Sequence, residues 1–296
     1  MIYTLGASFT KWYWPTWSDW LNVYNGPVTN WAFAGYGNQH VHWLLLDKMK
    51  QITPDDEVII MWGTSNNNTQ WYDREWIDEY QCEGFFPPTR GKLWFTKDKP
   101  WLGMYKFHPE HNISLSQMII GNFHTVLQTQ FLLERIGCKY KMAWSQNPWL
   151  DIRPTFKPEF DYNWDKKSVI TPKEYEHAMD ILDLHPVQML LSQIDWSKFV
   201  EPVTTFDPTT YKGIWEFGLS KKEYILANHI SDNHPNTLVA HDYLVEKIYP
   251  QTSLYAENAK RVANACEDMY IPEFKPTDYV ADPSEKMCLI ELSNYI

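Results

Sequence analysis

In Glu57-Val58-Ile59-Ile60-Met61-Trp62-Gly63, an unbroken apolar run from Val58 to Trp62 is entered through Asp55-Asp56-Glu57 and closed by a glycine. A short apolar run without polar alternation predicts a strand buried on both faces, the signature of a parallel sheet. Working outward toward the N-terminus, residues 40–49 have the apolar spacing of a helix and residues 28–34 read as a second buried strand. Residues 17–24 again have helical spacing, and residues 2–5, Ile-Tyr-Thr-Leu, form a β-prone run that stops at Gly6. Toward the C-terminus, Leu115, Met118, Ile119, Phe123, Val126 and Leu127 share one side of a helix expected over 114–135, with Gly137 as its stop. Residues 139–144 predict a fourth strand, a fifth is expected within 198–206, and helices are expected over 172–184, 238–248 and 254–269. Strand and helix alternating in this way predict an α/β fold, a parallel sheet covered on both faces.

The chain has 296 residues, enough to bury roughly three quarters of its unfolded surface. One domain over 1–270 is expected, with two irregular insertions at 67–114 and 147–219 and a C-terminal tail over 271–296. Cys82, Cys138, Cys266 and Cys288 lie far apart with no CxxC pair, which speaks against a zinc ribbon or a disulfide scaffold. The first strand begins at Ile2, so no signal peptide is expected, and no apolar run reaches the length of a membrane span. A formal charge of −11 opposes nucleic acid and anionic membrane surfaces as partners and favours neutral or cationic ligands. Sixteen tryptophans are more than a core of this size needs. Some are therefore expected in clefts, where indoles stack on sugar rings, although core and oligomer contacts use the same residue.

Ligands of open parallel sheets bind outside the carboxyl ends of the strands, so polar residues just after each strand are weighed together. Here these are Ser8, Gly35 with Asn38, Gly63 with Asn66, and Asp232-Asn233-His234. Ser8 by itself is better explained as a helix cap. In company, Gly6-Ala7-Ser8, Gly35, Gly63-Thr64-Ser65-Asn66 and Asp232-Asn233-His234-Pro235-Asn236 resemble, in order, the blocks of the SGNH (GDSL-like) hydrolase family. Ala7 stands where that family has Asp, Asn66 lies one place late in its block, and Asp232 lies two rather than three residues before the histidine.

The resemblance implies a flavodoxin-like three-layer sandwich and a serine ester hydrolase. Ser8 would be the nucleophile, since an alcohol attacks only once a nearby base takes its proton. His234 would be that base and then protonate the leaving alcohol. Asp232 would orient the imidazole, a role that a dyad without an acid, or a carboxylate from an insertion, leaves open. The backbone N–H groups of Ser8 and Gly35 and the side chain of Asn66 would hold the oxyanion. Trp12 and Trp14, in the aromatic run directly after Ser8, and Asn38 are candidate substrate contacts; packing α-helix against sheet is the alternative for the indoles.

Removal of an acyl group such as acetyl from a carbohydrate is the expected reaction, with no cofactor and no metal. The Trp-rich block resembles SGNH proteins of bacteriophage type, which implies a glycan substrate and a place in the cytoplasm or the virion, as a homo-oligomer or part of an assembly. His108 with His111 and His40 with His42 have spacings that metals use, but neither pair has a third ligand in an evident motif. Two rival readings stand beside the esterase: a degraded SGNH fold kept as a binding or virion structural protein, and a lipase or thioesterase with a deep apolar groove.

Overall fold

The computed structural model describes residues 1–11, 14–32, 37–63, 68–71, 92–95, 115–149, 172–203, 205–221, 235–267 and 292–296. Its centre is an all-parallel sheet of β1 (Ile2–Gly6), β2 (Val28–Asn30), β3 (Glu57–Trp62) and β6 (Lys139–Trp144), in the order β2-β1-β3-β6. The Glu57–Trp62 run is central, in register with β1 from Ile2↔Glu57 to Gly6↔Met61 and with β6 from Glu57↔Lys139 to Trp62↔Trp144. The sheet explains why this run is apolar from Val58 on: its residues alternate between two buried faces. Val58, Ile60 and Trp62 enter one core, and Ile59 and Met61 the other.

The first face is covered by α2 (Asn38–Lys48), α3 (Leu115–Ile136), α4 (Pro172–Leu182) and α5 (His185–Gln193). Helix α3 ends as its sequence predicts: Gly137 has φ of 79°, and its N–H reaches the Leu133 carbonyl at 3.0 Å. The second face is covered by α1 (Trp17–Asn25), α6 (Ile214–Ser220), α7 (Thr237–Tyr243) and α8 (Ala256–Glu267). Helix α7 continues into a π turn over Leu244–Ile248, so the helix expected over 238–248 changes its hydrogen-bond period midway. Among the described residues, no helix is long and apolar enough to cross a membrane.

Two expectations are corrected. Strand β2 ends at Asn30 rather than Ala34 because Asn30 Oδ1 accepts from Ala32 N at 2.9 Å, turning the chain out of the ladder. The fifth strand reduces to one parallel bridge, Met142↔Phe199, with Val200 N donating to Met142 O at 2.8 Å. This bridge places residue 199 beyond β6 at the sheet edge. The described parts of the second insertion contribute to the core. Ile181, Val187, Leu190, Leu191, Phe199 and Tyr211 belong to the first core, and Gln130 of α3 clasps Asp195 through both backbone groups at 2.9 Å each. Of the first insertion, β4 (Asn68–Trp71) and β5 (Lys92–Phe95) form an antiparallel pair.

Candidate active site

The turn carrying Ser8 is built from the end of β1. A Cβ on Gly6 would stand 2.9 Å from the Met61 carbonyl and 2.3 Å from Thr10 Oγ1, so glycine alone lets the two strand ends approach this closely. The Ala7 carbonyl then accepts from Thr10 N at 2.9 Å and Lys11 N at 3.2 Å. Residues 7–11 thereby form one tight turn that leaves Ser8 half-buried at the mouth of the strand. The Thr10 carbonyl is held twice, by Thr16 Oγ1 at 2.7 Å and by Asn30 Nδ2 at 2.9 Å. Thr16 also opens α1 in a capping box, its N–H donating to Asp19 Oδ2 at 2.7 Å. Burial raises the Asp19 carboxyl above its ordinary range, against the hydrogen bonds from Thr16 and the charge of Lys11. Strand end, Ser8 turn and helix start are thus one hydrogen-bonded unit.

Ser8 lines a small open cleft with Phe9, Trp14, Thr16, Ile214, Pro235 and Ala240. Pro235 follows His234 directly in the chain. Its carbonyl accepts a hydrogen bond from Trp14 Nε1 at 2.9 Å, joining segments 221 residues apart. Asn236 then caps α7, its Oδ1 accepting from Val239 N at 2.9 Å. The residue after the candidate base and the candidate nucleophile therefore face the same space. His234 itself lies outside the described residues, as do Asp232, Gly35, Asn66 and Trp12.

Two of the expected substrate contacts, Asn38 and Trp14, are among the described residues. Asn38 is 1% exposed; its Oδ1 accepts from Gly63 N at 2.7 Å, and its Nδ2 donates to Gly63 O and Asn122 Oδ1, both at 3.1 Å. It is a latch tying the start of α2 to the end of β3, where Asn66 follows three residues on. Trp14 is also 1% exposed, and its indole lies in the second core as well as against the cleft. Its N–H serves the protein's own backbone.

The carboxyl end of β6 is closed in a way the sequence does not announce. A Cβ on Gly213 would fall 2.5 Å from the Trp144 carbonyl and 2.7 Å from Gln146 N. Glu216 spans the junction, Oε2 accepting from Gly213 N at 2.8 Å and Oε1 from Asn147 N at 3.0 Å. The Gly-x-x-Glu spacing at a helix start was a legible signal for this cap; its partner Asn147 was not. Thus residues 213–216 of the second insertion do sit at the carboxyl edge, whereas 172–203 pack along the sheet face.

Among the described residues, no group of three or more His, Cys, Asp or Glu side chains is placed to hold a metal. His42 is committed to Thr129 Oγ1 at 2.8 Å, and His108 and His111 lie outside the described residues. A second histidine beyond the motif, His241, is buried with Nδ1 2.9 Å from Asp242 Oδ1 and Nε2 2.9 Å from the Tyr24 hydroxyl. No protein-family model matches the chain, and no curated protein matches it.

Proposed function

We propose that the chain is a serine ester hydrolase of SGNH type on a flavodoxin-like core, with Ser8 as nucleophile and His234 as general base. The observation that carries this reading is the cleft shared by Ser8 and Pro235, which brings the residue adjoining His234 beside the Ser8 turn. The strand order supports it: with β2 on one side of β1 and β3 on the other, the chain reverses its winding next to β1, the place where such sheets bind ligands. In the proposed reaction, His234 takes the Ser8 proton as Oγ attacks the ester carbonyl. The tetrahedral oxyanion rests on the Ser8 and Gly35 N–H groups and Asn66. His234 then returns the proton to the leaving alcohol, and water repeats the cycle on the acyl-serine.

A small acyl group, such as acetyl on a carbohydrate, remains the proposed substrate. The cleft beside Ser8 is small, with Phe9, Ile214 and Pro235 in its walls, a lining that suits a short acyl group better than a long chain. The rival reading, an SGNH fold retained for binding or virion structure, draws on Ala7, which is 9% exposed where the family has an aspartate. Hydrolysis of an activated acetyl ester, compared between the wild-type protein and Ser8→Ala, separates the two. Equal rates in both sink the esterase.

A further inference from the structure

We infer that Ser253 is a second activated nucleophile, the acceptor of one acyl group from an apolar activated ester, with His241 as its base and Asp242 as the carboxylate that orients the imidazole. The inference does not draw on the Ser8–His234 reading. Ser253 Oγ stands 3.4 Å from His241 Nε2, and His241 Nδ1 stands 2.9 Å from Asp242 Oδ1. This order of groups is what activates an alcohol: the carboxylate fixes a proton on Nδ1, which makes Nε2 the acceptor of the hydroxyl proton. The separation of 3.4 Å is at the long end of hydrogen-bond reach, as such pairs often are before a substrate is bound. Exposure divides the three groups in the same sense. His241 is fully buried, the Asp242 side chain is 16% exposed, and Ser253 is exposed, so the hydroxyl is the member that meets a reagent from solution.

Local structure places Ser253 there. Helix α7 passes into the π turn at Leu244, and such turns recur at functional sites. Beyond it Gln251 N folds back to the Val245 carbonyl at 3.0 Å. Two residues after Ser253, Tyr255 N donates to the Tyr24 hydroxyl at 3.2 Å. Ser253 is thereby held between two anchors, twelve residues after the histidine it faces. Trp20 packs T-shaped on the imidazole, with ring centroids 5.1 Å apart, and keeps the ring in place. The Tyr24 hydroxyl, accepting from Tyr255 N, turns its own proton toward His241 Nε2 at 2.9 Å. It competes with Ser253 for the one lone pair of that nitrogen and so restrains the serine. Leu254, 72% exposed beside Ser253, offers an apolar contact, which favours an ester with an apolar acyl group as the donor. In the step, His241 takes the Ser253 proton as Oγ bonds to the acyl carbon. The ester C–O bond breaks, its electron pair leaves on the alcohol or phenol oxygen, and His241 gives that oxygen the proton. Because Ser253 stands in water rather than in a closed cleft, fixed dipoles do little for the oxyanion, and the outcome is uptake of one acyl group rather than rapid turnover.

The test incubates the full-length protein with p-nitrophenyl butyrate and maps acyl-serine by peptide mass spectrometry, in the wild type and in Ser8→Ala, where the proposed esterase serine cannot consume the donor. Ser192, exposed and donating to the Met189 carbonyl at 2.8 Å, is the internal reference in every digest. Ser253 is expected to acylate at least about 10²-fold faster than Ser192, the gain that a positioned base supplies. His241→Gln should bring Ser253 down to the rate of Ser192. Tyr24→Phe, by removing the competing hydroxyl, should raise the Ser253 rate by about 5-fold, the worth of one neutral hydrogen bond. Acylation of Ser253 no faster than that of Ser192, or a rate that His241→Gln leaves unchanged, overturns the inference. Should His241→Gln fail to fold, Asp242→Asn decides, because the Asp242 side chain is less deeply buried than the imidazole. A fall of at least about 10-fold is then expected from loss of the orienting carboxylate, and an unchanged rate overturns the inference. Steady-state release of p-nitrophenol that Ser8→Ala removes reports the Ser8 reading on the same samples, so failure at Ser253 and failure at Ser8 are told apart.

Discussion

The two faces of the sheet are packed from the same kinds of residue and differ in where their polar bonds lead. On the first face, buried polar side chains mostly join helix to helix: His42 of α2 to Thr129 of α3, Asn38 to Asn122, and Gln130 to the backbone of Asp195. On the second face, Trp14, Trp20 and Tyr24 join the chain after Ser8 to the chain after His234. Core and cleft are also continuous there, since Trp14, Ile214 and Ala240 belong to both. A hydrophobic layer can thus be a foundation on one side and part of the site on the other. Damage to the first face should register as stability, and damage at the cleft end of the second as activity.

The sharpest way to break this contrast is at the proposed chemistry. Ser8→Ala and His234→Ala should each lower hydrolysis of an activated acetyl ester by at least about 10³-fold, with little further loss in the double variant, because members of such a unit fail together. Urea midpoints should stay close to wild type, as Ser8 is half-buried and not part of either core. Additive losses in the double variant would mean the two residues work apart.

Phe123→Ala makes the converse test on the first face. Phe123 is 2% exposed and packs against Trp144, Trp149 and Trp196, with ring centroids 5.6 to 6.3 Å away. Its truncation should cost about 3–5 kcal/mol, the range for removing a buried aromatic ring. The folded fraction should keep the wild-type kcat. A drop in kcat at full folding, read from circular dichroism on the assayed sample, would show that the first face also shapes the site.

Trp20→Phe lies between these extremes. It removes the donor to Thr237 Oγ1, and Thr237 is fully buried. A loss of about 1–3 kcal/mol is expected from one buried polar atom left without its partner. Because neither Trp20 nor Thr237 lines the cleft beside Ser8, kcat should remain within about 2-fold of wild type.

How much of this the sequence disclosed depends on the range of the interaction. Residues 57–62 were read to the residue because two-sided burial writes itself into consecutive positions, and 139–144 because Lys139 and Lys141 alternate with buried Tyr140 and Met142 before the run Met-Ala-Trp. Residues 172–203 were read as an insertion because their core contribution lies in separated positions such as Val187, Leu191 and Phe199, on short helices with weak individual patterns. The abundance of tryptophan suggested cleft-facing indoles; Trp14 does line the cleft while only 1% exposed, whereas Trp17, Trp20, Trp62, Trp144 and Trp149, also 1% exposed or less, do not. Composition counts rings without saying which way they face. Ser8 was singled out by its place after a strand, and it lines a cleft together with Pro235. The bonds between Trp14 and Pro235, or Asn38 and Gly63, had no local signal, since a single donor meeting a distant carbonyl leaves no period in the sequence.

The smallest expected effect is a pH dependence that belongs to the first face. Thr129 donates its hydroxyl proton to the Thr125 carbonyl at 2.7 Å, so the 2.8 Å contact with His42 requires a proton on Nδ1 of the imidazole. The neutral ring satisfies this, and a second proton would place charge on a side chain in a residue only 9% exposed. Burial, helped by the charge of nearby His124, accordingly lowers the His42 pKa from its ordinary value of 6.5. Below that value the unfolded chain binds a proton the folded protein resists, so stability must fall as pH drops through the unfolded pKa. The fall levels off once pH is below the folded pKa, where both states are protonated. Urea unfolding at about pH 7.5 and pH 5 should therefore show a smaller loss in His42→Asn than in the wild type, the asparagine amide keeping the donor to Thr129 without the titration. Because the change lies between α2 and α3, the activity of the folded protein should be unaffected by the substitution; an equal pH slope in both proteins would assign the acid sensitivity to other groups.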